Sequence, residues 1–115
     1  MSNTSAIMTD GSIMVDIMQS NLESVVKKIN SGSGVNEKNS AWGSMLHCAA
    51  YCGDKNIVKF LIECGADVNS TYSGWTPLDA TLIKILSKKY TTFNNYEIAK
   101  ILIDNGAKLN LQASK

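Results

Sequence analysis

Apolar residues recur along the chain in short helical faces separated by polar, glycine-containing breaks. Ile57, Val58, Leu61 and Ile62 follow the i, i+1, i+4, i+5 spacing of one side of a helix, and Ile98, Ala99, Leu102 and Ile103 repeat it. A polar residue able to accept a hydrogen bond from an orphan backbone N–H stands at matching places in three copies: Asn21, Asp54 and Asn95, spaced by 33 and 41 residues. A break follows each copy. Gly65-Ala66-Asp67-Val68-Asn69 returns as Gly106-Ala107-Lys108-Leu109-Asn110, and a worn version, Gly32-Ser33-Gly34-Val35-Asn36, precedes both at the same 33 and 41. A period near thirty residues predicts one supersecondary unit stacked on itself.

A second, earlier helix is predicted in each unit. Thr76-Pro77-Leu78-Asp79 opens one, with threonine suited to the N-cap and proline to the first helical position, where its missing donor costs nothing. Ser44-Met45-Leu46-His47 is its counterpart. The middle copy continues Cys48-Ala49-Ala50-Tyr51-Cys52-Gly53-Asp54, small residues for close helix approach and then a glycine suited to ending the helix. Each unit is therefore helix, tight turn, helix, loop, and the fold class is all-α.

Ser44 to Gly53, then Ile57-Val58, then Gly65 to Asn69 resembles an ankyrin repeat, and Gly74-Trp75-Thr76-Pro77-Leu78 resembles the start of the next. The resemblance covers roughly Ile13 to Asn110. A tetratricopeptide array has a similar period, but lacks the Thr-Pro-Leu opening and the Gly-Ala-Asp-Val-Asn loop. The expectation is an ankyrin-repeat solenoid of three units, about 13–39, 40–72 and 73–110, within a domain 13–115 that follows a flexible tail 1–12. Three departures stand out. The last copy carries nine extra residues between its helices, within Ile83 to Asn94, predicting a longer helix or an inserted loop there. In the middle copy the loop is one residue longer and Trp42 falls where the family usually has glycine, so its hairpin tip should bend differently. Ser24, Lys27 and Lys28 replace apolar residues in the first copy, the polar outer face that a terminal repeat needs. Met8, Met14 and Met18 read as first-helix packing.

At 115 residues the chain fits one domain, about the minimum for a stacked repeat core. No stretch approaches the roughly 18 apolar residues of a membrane helix. The polar Met1 to Asp10 lacks the features of a secretory signal. The odd set Cys48, Cys52 and Cys64 predicts reduced thiols in a cytoplasmic setting, a producer's or a host's. Asn3-Thr4-Ser5 and Asn69-Ser70-Thr71 then match the glycosylation pattern only by chance.

Net charge is +1 but divided: −3 over residues 1–82 and +4 over 83–115. All 11 basic residues are lysine, which removes the side chain best suited to bidentate phosphate and base recognition and argues against a nucleic-acid partner. The richness in Lys, Asn and Ile without Arg fits an AT-rich genome such as a bacterial one.

Chemistry is sparse. His47, Cys48, Cys52 and Cys64 hold the clustered metal-ligand atoms, but structural zinc needs four ligands at matched spacing, and no metal or other cofactor is expected. The ankyrin resemblance implies instead that His47 ties neighbouring hairpin loops together and that Cys48 packs in the core. Asp79 stands in place of that histidine in the last copy. There is no strained nucleophile elbow and no strand-borne phosphate loop, so an enzyme is not expected.

Binding remains. In ankyrin arrays partners usually lie across the hairpin tips and the exposed face of the first helices. By position these are Ser40, Ala41 and Trp42 at one tip, Tyr72, Ser73 and Trp75 at the next, and Tyr51 and Cys52 on the helix. Aromatic residues are frequent interface anchors, although Trp42 and Trp75 could equally pack on neighbouring loops. Lys84, Lys88 and Lys89 would share a face of an extended helix and suit an acidic partner, or be solvated while Ile83, Leu86 and Tyr90 cover the end of the stack. The expected activity is that of a monomeric protein-binding module, acting as a stoichiometric inhibitor or immunity-type protein toward a toxin or enzyme. The alternatives are an adaptor, scaffold or host-directed effector, a piece of a larger array, and a metal or redox sensor using the three cysteines.

Overall fold

The computed structural model describes residues 12–87 and 93–110. Their elements in chain order are α1 (Ile13–Met18), α2 (Leu22–Asn30), β1 (Lys38–Asn39), β2 (Gly43–Ser44), α3 (Met45–Cys52), α4 (Lys55–Glu63), α5 (Pro77–Ser87) and α6 (Phe93–Asp104). The first helices α1, α3 and α5 pack side by side in one row, and the second helices α2, α4 and α6 form another. Each first helix also packs on its own second helix, giving the two-layer stack the repeats require.

Helix ends explain the recurring sequence breaks. Gly65 at φ +96° and Gly106 at φ +90° take the left-handed conformation that lets the chain leave the helix. Ala66 N–H then donates to Leu61 O and Ala107 N–H to Leu102 O, both at 2.9 Å, which satisfies last-turn carbonyls as in a Schellman motif. At the N-termini Asn21 accepts from Ser24 N–H, and Asp54 from Asn56 and Ile57 N–H. Asn95 departs from that pattern. Because α6 starts at Phe93, Asn95 lies inside the helix, fully buried, and its amide faces the Thr81 hydroxyl at 3.4 Å. The insertion lengthened the helix at its start, so the residue aligned with two caps became an inward polar contact.

That insertion is divided between both helices. At 11 residues α5 is three longer than α3, and at 12 residues α6 is three longer than α4. The remainder falls in 88–92, outside the described residues.

The core runs through both layers: Ile17, Val25, Leu46, Ile57, Val58, Leu61, Ile98 and Leu102 are fully or almost fully buried. Met14 is buried and Met18 packs against this cluster, whereas Met8 lies outside the described residues. On the outer side of the first unit, Ser24 Oγ donates to Asp16 at 3.0 Å and Lys28 forms an ion pair with the same carboxylate. Two of the polar replacements thus serve a bridge between α1 and α2. At the other end Leu86 is 75% exposed and Ile83 lines the concave side, while Tyr90, the third residue expected to cover the stack, lies outside the described residues.

Candidate binding surface

The hairpin tips are built by turn chemistry. Tyr72 and Trp75 exchange both backbone hydrogen bonds, 2.8 and 2.9 Å, around Ser73 and Gly74, both at positive φ. This is the two-residue type I′ turn whose twist matches its flanks. The preceding tip pairs Asn39 with Gly43 around the three residues Ser40, Ala41 and Trp42. The extra residue moves the left-handed position to Gly43, at φ +78°. A Cβ there would lie 2.7 Å from Tyr72 Cβ, so the glycine also permits close approach of the next tip.

Neighbouring tips are tied by named bonds. His47 is buried at the start of α3; its Nδ1 accepts from Ser44 N–H at 3.2 Å, which places the proton on Nε2, and Nε2–H donates to Trp75 O at 2.7 Å. Burial holds this imidazole below its ordinary pKa, against the opposing pull of the Trp75 carbonyl; Lys38 adds a smaller lowering effect and Asp79 a smaller raising one. The Tyr72 hydroxyl donates to Ser40 O, and Lys38 Nζ donates to Thr71 O at 2.9 Å. At the next step Asp79 performs the tie with reversed polarity. Its carboxylate accepts Thr76 N–H at 2.9 Å and Asn110 N–H at 3.1 Å, while Thr76 Oγ1 donates to Lys108 O. The histidine donates to the following loop; the aspartate accepts from it.

The loops carry a second tie that the sequence reading passed over. Asn36 donates to Gly65 O and accepts Asp67 N–H; Asn69 donates to Gly106 O and accepts Lys108 N–H. Each amide imitates a strand partner between successive repeats. The signal was the asparagine closing every copy of the break.

Between the tips and the first helices lies an open, mainly apolar cavity of about 440 Å³, lined by Ala41, Trp42, His47, Cys48, Tyr51, Tyr72, Trp75, Ala80 and Ile83. It gathers five of the expected contact residues: Ala41, Trp42, Tyr51, Tyr72 and Trp75. Ser40 and Ser73 are exposed on the tips outside the lining. Cys52 is half-buried behind Tyr51, its sulfur 4.0 Å from that of Cys48. Lys84 is engaged rather than free: Nζ donates to Tyr51 O at 2.8 Å and sits 4.7 Å from the Tyr51 ring centre. Lys88, Lys89 and Tyr90 lie outside the described residues. Ala80 and Ile83 were missed, although they occupy the repeat positions of Cys48 and Tyr51. Among the described residues no three His, Cys, Asp or Glu side chains converge on a possible metal position.

The model of the family described as ankyrin repeats (3 copies) matches residues 13–113. The chain is an ankyrin-repeat protein. It is similar to the mouse protein phosphatase 1 regulatory subunit 12A, 39% identical over 64 residues that cover 55% of this chain and 5% of that protein. It is also similar to the putative ankyrin repeat protein FPV222 of fowlpox virus (strain NVSL), 31% identical over 123 residues covering 86% of this chain and 16% of the relative. The chain thus spans only a small part of the length of either relative. Ankyrin repeats are protein–protein interaction modules, and the aromatic cavity lies on the concave side such modules use. No helix among the described residues is long and apolar enough to cross a membrane.

Proposed function

We propose that this ankyrin-repeat protein is a non-catalytic binder that holds one protein partner at its concave face and acts by occluding it, as a stoichiometric inhibitor or immunity-type protein does. The observation that carries this reading is the cavity walled by Trp42, Tyr51, Tyr72, Trp75 and Ile83, a ready pocket for an apolar anchor side chain. Tyr51 and Ile83, 45% and 39% exposed, are the most exposed part of that wall. Among the described residues the buried Trp42 indole N–H has no hydrogen-bond partner. A face of at most 37 × 30 Å is matched by the roughly 800 Å² that each side of a standard interface buries. Lys84, whose ammonium lies over the Tyr51 ring, puts positive charge at the edge of the cavity and suits an acidic partner in the cytoplasm.

A second reading, a unit within a longer array, is favoured by the exposed apolar side chains Tyr96, Ile103 and Leu109 of the last repeat. Affinity capture with wild type and a Tyr51→Ala/Ile83→Ser double variant separates the readings. One partner at one-to-one stoichiometry, lost in the variant, supports the concave-face inhibitor. Capture unchanged in the variant, or several substoichiometric partners, overturns it.

A further inference from the structure

Cys48 and Cys52 lie one helical turn apart on α3, and their sulfurs approach to 4.0 Å. Their surroundings differ. Cys48 is 1% exposed, whereas Cys52 is half-buried at the helix end, next to Tyr51 of the cavity wall. A helix C-terminus alone would repel a thiolate. Here Lys84, reaching across from α5, donates to the last-turn carbonyl of Tyr51, which brings its positive charge to the helix end that carries Cys52. The two sulfurs therefore take unequal roles. Either sulfur can be the donor in this contact, but burial disfavours a thiolate at Cys48 more than at half-buried Cys52; the shared hydrogen bond and burial push the Cys48 thiol up. The same hydrogen bond, helped by Lys84 and opposed by burial and Asp54, pulls Cys52 down to about 7. Of the other carboxylates on packed elements, Asp16 of α1 is paired with Lys28 and Glu97 of α6 with Lys55.

We infer that Cys52, set apart from buried Cys48 and from exposed Cys64 by its Cys48 and Lys84 neighbours, is a covalent modification site that forms a stable mixed disulfide with a small oxidised thiol of the glutathione disulfide class. The Cys52 thiolate attacks one sulfur of the disulfide. The reagent's S–S bond breaks as the Cys52 S–S bond forms, and the departing thiolate takes a proton from water. The reagent is the oxidant, and no further electron acceptor is required. Cys48 does not displace the adduct, because it is buried and held as a thiol, a poor nucleophile. This site stands apart from the partner-binding reading, since its readout is thiol chemistry of the free protein.

The test is timed alkylation of the reduced full chain by iodoacetamide from pH 5.5 to 9.5, and separately exposure to glutathione disulfide, with adducts assigned by peptide mass mapping. The expected midpoint of the Cys52 rate profile is near pH 7, and the glutathione adduct maps to Cys52. Lys84→Met and Cys48→Ala should each move the midpoint toward the ordinary thiol value of about 8.5. Full reversion cuts the thiolate fraction at pH 7 about 15-fold, and the greater intrinsic nucleophilicity of the more basic thiolate returns about 5-fold, leaving a net loss of about 3-fold. A wild-type midpoint near 8.5, a midpoint indifferent to both variants, or rapid conversion to a Cys48–Cys52 disulfide would overturn the proposal.

Discussion

Replacing His47 by alanine tests how the repeats are coupled. The side chain is 4% exposed and joins its own helix start to the following tip through Ser44 N–H and Trp75 O. Three buried hydrogen-bond contacts are lost, Ser44 N–H and Oγ at Nδ1 and Trp75 O at Nε2, each worth about 1 kcal/mol net, and the vacated ring volume adds a similar amount, so a cost of about 3–4 kcal/mol is expected. The same bond pattern predicts a pH signature. Nδ1 must accept from Ser44, so the fold needs the neutral imidazole, and burial depresses the folded pKa below the unfolded value of about 6.5. The unfolded chain then binds the proton more readily. Stability from this group is full above about pH 6.5 and is lost as pH falls toward the folded pKa, at up to about 1.4 kcal/mol per pH unit. The chain has one histidine, so the difference between wild type and His47→Ala isolates it. Urea unfolding of both from pH 8 to 5 is the assay. Equal slopes below pH 6.5, or a wild type that gains stability on acidification, would refute the argument.

Gly43→Ala should cost about 1–3 kcal/mol in urea unfolding, since its Cβ would meet Tyr72 at 2.7 Å in a left-handed backbone; an unchanged midpoint would mean that the tips are not packed this closely. Asn36→Ala and Asn69→Ala should each lose about 1–2 kcal/mol, the worth of two partly solvated hydrogen bonds, and a cost within 0.3 kcal/mol of zero would remove the amide ladder from the account. Ile103→Ser, at a side chain 57% exposed, should leave stability within about 0.5 kcal/mol of wild type by the same assay.

The stack was legible because its determinants are local and recur. The apolar faces at Ile57 and Ile98, the Thr76-Pro77 start and the glycine breaks each specify an element without reference to the rest of the chain. Reading failed where a position's role depended on geometry added elsewhere. Asn95 lies inside its helix rather than before it because the helix began earlier, and Asp79 supplies a loop tie by reversing donor and acceptor. The cavity was half legible. Its aromatic residues are conspicuous in sequence, but Ile83 reaches the wall only because α5 repeats the orientation of α3, and Lys84 is spent on Tyr51 by a contact between repeats. Such contacts between residues about thirty positions apart follow from stacking, which no single helix pattern displays.

The chain contains two tryptophans, and both line the cavity. Tryptophan emission during titration with the captured partner therefore reports on the claimed surface directly. The account predicts a saturable change in emission that ends at one equivalent and is weakened by Tyr51→Ala/Ile83→Ser. Stoichiometric binding that leaves the emission of both tryptophans unchanged would contradict it.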